Sequence, residues 1–557
     1  MKQFCLLLLL SWPLPAQSAM PSVAVDRLLD QIVERERNFL ESIRTRTPLI
    51  ETYIQESAEA APDDLRPVKD HYFLGRFRLG ESLAYETLVE RTDAPAPQKS
   101  GGPWRLFSSA DRSRKQGMTF LPRGFAQMTA IDLGAFDRRT YRFEYVRREF
   151  LGEVRCLVFD VSPIQSAEPG RFVGRMWVED RDYSIVRFNG TYIQPRLAKA
   201  VTTDRYFHFD SWRVNSGGHW TPAQIYVEEQ GTSAKGSAGT PRFKAQTRIW
   251  DFAAAPTNQL DELTSILIEA DSAVTDVEAS RDASPLESQR SWEHQAEANL
   301  LARLEKGGLL APRGAVEDVL NTVVNNLIAS SNLNLEAHCR VLLTTPIESF
   351  SIGHTIVISR GLIDVLPDET SLALVLADEL SHIALGHRTP TEFAFHNQTM
   401  RSDAEMLQRF RFKRSPEEML AAGKKTIEIM RTSPYQKTAS AGLFLKAIAS
   451  HASALPRLLQ ANLGNQMADT EAIKRLADFA ASAPALDEQK LEQIAALPLG
   501  SRVKVSPWDN RITLVKTRPI ELLSAREKMP FEVTPFVLYL THGAAVSKTE
   551  NIRGEQK

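Results

Sequence analysis

Three cysteines in 557 residues exclude a disulfide-built scaffold. Cys5 lies in the leading apolar run. That leaves Cys156 and Cys339, which fall in different candidate domains among apolar neighbours (Leu157 and Val158; Val341 and Leu342), and two buried free thiols are expected. Charge is nearly balanced, with a formal net value of −2, so nothing electrostatic points to nucleic acid as a partner. Beyond the first residues no stretch reaches the roughly 18 apolar residues that span a bilayer, and no transmembrane span is expected in the mature chain. With 43% hydrophobic and 24% charged residues, there is material for two or three domains with real cores.

The chain opens MKQFCLLLLLSWPLPAQSA: one lysine, an apolar run from Cys5 to Leu10 extended by Trp12 and Leu14, then small residues near Ser18 and Ala19. This reads as a secretory signal peptide over residues 1–19, and it places the mature protein outside the cytoplasm, periplasmic or secreted. Residues 25–70 are expected to be helical, because Leu28, Leu29, Ile32, Val33, Phe39, Leu40 and Ile43 recur at helical spacing among charges. From Tyr72 to about Ala253 the period changes to two. Tyr141, Phe143 and Tyr145 alternate with Arg142 and Glu144, and NSGGHW at 215–220 reads as a hairpin turn. Residues 71–256 are therefore expected to form an antiparallel β half-barrel. An acidic, Ala- and Ser-rich stretch at 257–290 reads as a linker. Helical periodicity resumes over 291–500, with a strand pair at 341–345 and 355–363, and strands and a polar tail follow at 501–557.

The pattern GRMWVEDRDYSIVRFNGTY, followed by Gly-Gly-His-Trp-Thr-Pro-Ala, resembles the outer-membrane lipoprotein carrier and related sorting proteins. That resemblance implies a concave apolar face able to take an acyl chain, a lipoprotein or another protein segment.

The most telling stretch is Asp378-Glu-Leu-Ser-His382, the zinc-peptidase pattern H-E-x-x-H with aspartate at its first position. Residues i and i+4 of a helix share a face, so two histidines at that spacing grip a metal while the glutamate polarises the attacking water. Asp368, Thr370 and Ser371 supply oxygens to cap the helix that starts near Pro367. The run PIESFSIGHTIVISRGLIDVLPDETSLALVLADELSHIALGH resembles the zinc metallopeptidase family that includes the CAAX prenyl protease and bacterial HtpX, family forty-eight of the metallopeptidases. The likeness spans roughly residues 292–460 and is carried by Arg360, Gly361, Leu362, Leu374, Val375, Leu376, Ala377, Glu379, His382 and His387. It implies an α+β chain whose N-terminal half-barrel is followed by a mainly helical, zincin-like domain. It also implies that Glu379 is the general base, that Asp378 and His382 are the metal positions, and that the strand Thr355–Ser359 is the edge on which an extended peptide pairs.

Two departures bear on the chemistry. Aspartate is shorter than histidine and anionic, and it weakens a metal's pull on water. The family's third ligand is a glutamate on a later helix; counting back from Tyr435 sets Ala421 at that place and Gly423 at a usual aspartate, while Glu417 and Glu418, one helical turn earlier, are either substitute ligands in a slipped register or the acids expected in a helix first turn. Three readings follow. The first is a pseudopeptidase that binds or positions polypeptides such as unfolded envelope proteins. The second is an active zinc endopeptidase using Asp378, His382 and Glu379. The third is an apolar-ligand or lipoprotein carrier. Zinc is the expected cofactor if the site is active, and none if it is not.

Overall fold

The computed structural model describes residues 22–61, 64–79, 83–89, 120–164, 170–193, 205–231, 242–252, 285–391, 394, 403–437, 439–459, 463–466, 476–487, 499–515, 533, 538 and 540–542. The expected signal peptide and nearly all of the expected linker lie outside them. The chain is α+β. Its N-terminal half is one open, ten-stranded antiparallel sheet, and its C-terminal half is mainly helical around a small second sheet.

Helix α1 (Ser22–Arg44) takes the apolar stripe read from the sequence, but the helical expectation over 25–70 fails after it. Pro48 ends the helical option, and the Thr-, Tyr- and Ile-bearing segment that follows forms the long strands β1 (Leu49–Ala61) and β2 (Asp64–Leu79). Then come β3 (Leu83–Thr87), the short helix α2 (Pro122–Gln127), β4 (Tyr141–Leu151), β5 (Val154–Pro163), β6 (Phe172–Glu179), β7 (Ile185–Tyr192), β8 (Arg205–Ser216), β9 (His219–Gly231) and β10 (Arg242–Trp250). Their order across the sheet is β3-β2-β1-β10-β9-β8-β7-β6-β5-β4. The 215–220 hairpin forms as expected, with Gly217 and Gly218 at φ +59° and +84°, the left-handed backbone that such a two-residue turn requires.

The strand alternation sorts side chains between two cores. Ile50 and Ile54 of β1 join Phe159, Phe172, Phe188 and Phe209 on the face covered by α1 and α2. Leu49 and Tyr53 point the other way, with Leu74 and Trp250, into the core of the C-terminal half. The face that the carrier resemblance would leave open for an acyl chain is thus packed with the protein's own side chains, Phe125, Phe172 and Phe209 among them, all fully buried. Farther along the outer face, Trp177, Trp212, Trp220 and Cys156 form a third cluster with Leu540 from the C-terminal segment.

The C-terminal half contributes α3 (Pro285–Lys306), which begins inside the expected linker, and α4 (Ala315–Ser330). Next come β11 (His338–Leu342), β12 (Glu348–Ile352), β13 (Thr355–Ser359), α5 (Arg360–Val365), α6 (Glu369–Ala384), α7 (Asp403–Leu407) and α8 (Pro416–Thr432). The remainder comprises α9 (Ala439–His451), α10 (Pro456–Leu459), β14 (Asn465–Gln466), α11 (Ala477–Ser482), β15 (Val503–Val505) and β16 (Ile512–Leu514). Arg360-Gly361-Leu362, expected to extend a strand, starts α5 instead, because Ser359 caps a helix there through its hydroxyl. Gly361 is required at that corner: a Cβ would sit 1.7 Å from the Thr345 carbonyl oxygen.

Buried charge ties the halves together. Glu51 of β1 accepts from the Thr345 amide and hydroxyl, both at 2.6 Å, and from Tyr72 at 2.7 Å. Arg248 of β10 bonds Asp364 at 2.7 Å, and the backbone amides of Arg457 and Leu458 at the start of α10 point onto Asp70 of β2. Within the sheet domain, Arg213 of β8 and Glu36 of α1 form a fork-to-fork pair with both contacts at 2.7 Å, almost wholly buried. Removing one member strands the other charge. Glu36→Ala is expected to lower stability by about 3–5 kcal/mol, read as a drop in the urea unfolding midpoint; an unchanged midpoint would show that α1 is held by its apolar stripe alone.

Candidate functional site

Helix α6 carries all three motif residues. Asp368 caps it, accepting from the Ser371 amide at 2.8 Å and the Ser371 hydroxyl at 2.7 Å, and the apolar residues Leu372 to Ala377 bury it against β12, β13 and α8. Asp378 and His382 stand one turn apart, with Glu379 beside them, and all three are inside the protein: 6%, 0% and 0% exposed in the order Asp378, Glu379, His382.

Each of the three is gripped by the surrounding chain. Ser349 on β12 donates its hydroxyl to Glu379 Oε1 at 2.8 Å. Thr426 on α8 meets Asp378 Oδ1 at 3.2 Å, lies 3.1 Å from the Ser381 hydroxyl, and bonds the Ala422 carbonyl of its own helix at 2.8 Å. His382 Nδ1 lies 2.8 Å from Nδ1 of His387, so one of these two ring nitrogens carries the proton and the other accepts it.

Helix α8 is where the family's third ligand was sought. It turns Ala422, Gly423, Thr426, Ile429 and Met430 inward, and Ala421 faces solvent. The count from Tyr435 therefore does not find the residue facing Asp378, since Tyr435 follows a turn beyond the helix end and does not hold its register. Thr426, not Ala421, is the residue that reaches Asp378. Glu418 is engaged in a capping box with Ser415, at 2.9 and 3.2 Å, and Glu417 is exposed.

Burial would raise the Glu418 carboxyl, but the Ser415 bonds and the nearby Arg414 and His387 charges hold it below the usual range. Burial pushes His387 down, with Glu418 opposing and Arg414 adding to the effect. Arg414 is itself lowered by burial, against the pull of Glu379, Glu418 and Glu297. This guanidinium donates to the Ser351 carbonyl at 3.2 Å, the Ser351 hydroxyl at 3.0 Å and the Arg388 carbonyl at 2.5 Å.

The expected peptide-pairing edge is also displaced. β13 lies inside its sheet, parallel to β11 on one side and antiparallel to β12 on the other. The reason is that Gly353, at φ +54°, turns β12 directly back onto β13. β12 pairs outward with β14 at Glu348 and Ser349, and two residues on, its Ser351 carbonyl accepts from Arg414. Ser349, Ser351, Thr426 and Arg414 thus belong to the site although sequence reasoning passed over them. Only Thr426 left a trace, four residues after Ala422 on one helical face.

Residues 315–445 match the family model of peptidase family M48. The M48 stretch runs from the start of α4 into α9 and contains every residue of the site just described. This stretch of the chain is metallopeptidase-like in kind, and the resemblance read over 292–460 holds across it. No curated protein matches the chain. Among solved structures it is similar to a DUF1329 family protein from Desulfovibrio piger, with 13% identity over 40% of this chain and 90% of that one and a TM-score of 0.21; a superposition that loose says nothing about the site.

M48 peptidases are generally zinc-dependent. The described residues do not make up a zinc ligand set. Among the described residues no group of three or more His, Cys, Asp or Glu side chains is arranged to hold a metal. Asp378 is met by a threonine hydroxyl from the helix where a third ligand was expected. Structural and catalytic zinc sites need three or four protein ligands.

The hydroxyl on Glu379 has a measurable consequence. In Ser349→Ala the buried carboxylate loses that donor, and stability is expected to fall by about 1–3 kcal/mol. A urea titration reads the difference, and equal midpoints would show that water takes the place of the hydroxyl.

Proposed function

We propose that this protein is an exported pseudopeptidase: a chain with an M48-like half that binds or positions polypeptide without hydrolysing it. One observation carries the reading. The three side chains that a peptidase would direct at a metal and its water are each held by another side chain of the protein, in a helix that is buried rather than open to a cleft. The aspartate at position 378, and the threonine hydroxyl rather than a carboxylate that faces it from α8, support it from the sequence and from the helix register. Export rests on the leading nineteen-residue segment, with its lysine, apolar run and small residues. Unfolded or extended envelope polypeptides are the partners proposed, since an M48-like half is built to handle peptide chain. Acyl-chain transport is the weaker reading, because the face it would use is occupied by α1, α2 and a cluster of phenylalanines.

Metal analysis with a protease assay tests the proposal. The purified protein is expected to carry zinc well below one equivalent, to leave casein intact, and to bind a reduced, alkylated polypeptide equally well as wild type and as Glu379→Gln. Stoichiometric zinc, together with casein cleavage that a chelator stops and Glu379→Gln abolishes, would establish an active peptidase instead.

The register of α8 yields a second test. Asp378→His combined with Ala422→Glu, on the inward face, is expected to gain zinc by calorimetric titration. The same histidine combined with Ala421→Glu, on the outward face, is expected to gain none. Equal affinities in the two double variants would contradict the register.

A further inference from the structure

Strand β4 closes one end of the ten-stranded sheet, and among the described residues no strand pairs with its outer edge. Such edges are normally blunted by charge, by a bulge or by both. β4 has both devices: Arg142, Glu144, Arg147, Arg148 and Glu149 along its length, and a bulge at Val146, where Tyr145 pairs with Phe159 but Arg147 with Val158. It also exposes Phe150 (67%) and Tyr145 (42%), which blunting does not call for.

The order of the charges points to a partner. Because the bulge absorbs one residue, Arg142, Glu144, Arg147 and Glu149 all lie on one face, opposite Ser162, Asp160, Val158 and Cys156 of β5. Tyr141, Phe143, Tyr145, Arg148 and Phe150 lie on the other, opposite Pro163, Val161, Phe159, Leu157 and Arg155. Now let a second β4 run antiparallel along this edge, about a two-fold axis at Tyr145. Glu144 then falls opposite Arg147 of the second copy, and Arg142 opposite its Glu149. Phe143 meets Arg148, Phe150 falls opposite Tyr141, whose own ring is buried in its core, and Tyr145 meets its own counterpart. Every charged pair on the first face is of opposite sign, every pair on the second is aromatic with aromatic or aromatic with guanidinium, and no like charges oppose. A merely blunted edge can carry its charges in any order; an edge that pairs with itself needs this order.

We propose that the β4 edge is a homodimer interface at which two ten-stranded sheets join antiparallel across a two-fold axis. Within one copy Arg147 already meets Glu149 at 2.6 Å, so pairing shares these charges between chains rather than burying them anew. The contact is a single strand pair, at the small end of stable interfaces, and the dimer is accordingly reversible.

Sedimentation equilibrium of the full chain tests this through charge exchange. Wild type is expected to show a monomer–dimer equilibrium, and Glu144→Arg and Arg147→Glu alone each to weaken it about tenfold or more, since every homodimer would then hold two like-charge pairs. Mixing the two single variants should restore association as a heterodimer, and so should placing both changes in one chain. Monomer throughout for the wild type, a dimer indifferent to the single reversals, or single variants that stay apart when mixed would each overturn the proposal. Recovery on mixing also shows that neither variant failed to fold.

Discussion

The buried carboxylate of Glu51 is the joint on which the molecule turns. It leaves the edge-to-edge logic of the sheet and reaches into the metallopeptidase-like half, where it takes both the amide and the hydroxyl of Thr345. Burial pushes its carboxyl up, while the Arg248 charge and the bonds from Thr345 and Tyr72 pull it down. Arg360, in the same cluster, is pushed down to about 10 by burial and by the like charge of Arg248. These groups are costly to desolvate, and their directionality sets position where apolar contact alone would permit sliding. Thr345 is fixed by the sheet domain; four residues later on the same strand-bound segment Ser349 holds Glu379. The base position of the motif is thus registered against β1 of the other half.

Much of this was legible from residue pattern. The 3.6-residue period fixed α1, α4 and α6, the two-residue period fixed the sheet, and paired glycines fixed the 215–220 turn, because each signal is local and the structure asks nothing else of those residues. The failures share a cause in tertiary context. Residues 49–70 read as a continuation of α1 because their apolar content suits either period; what decides for strand over 49–57 is burial on both faces between two cores, which a single sequence does not display. The family place of β13 suggests an edge, whereas β11 and β12, both earlier in the chain, flank it on its two sides. At the site, Asp378, Glu379 and His382 could be placed on one helix by spacing, but their partners Ser349 and Thr426 are ordinary hydroxyl residues that acquire meaning only when β12 and α8 are brought against α6.

The contrast between a metal centre and this cluster lies in how each satisfies polar groups inside a protein. A cation does so by strong, few and exacting bonds that leave room for water; hydroxyls do so by weaker bonds that also fill volume. Ser349 and Thr426 belong to the second solution. They let α6 pack tightly against β12 and α8 where a catalytic helix must keep a solvent-open position.

The two buried cysteines, Cys156 and Cys339, carry a practical consequence. Burial raises both thiols to about 12, Cys156 in the tryptophan-rich layer of the sheet domain and Cys339 in the core of the other half. Neither is a nucleophile while its surroundings stay shut, since the thiolate is the reactive form. One natural reporter therefore sits in each half, and the rates at which an alkylating reagent labels them record how often each half opens, separately and without engineering.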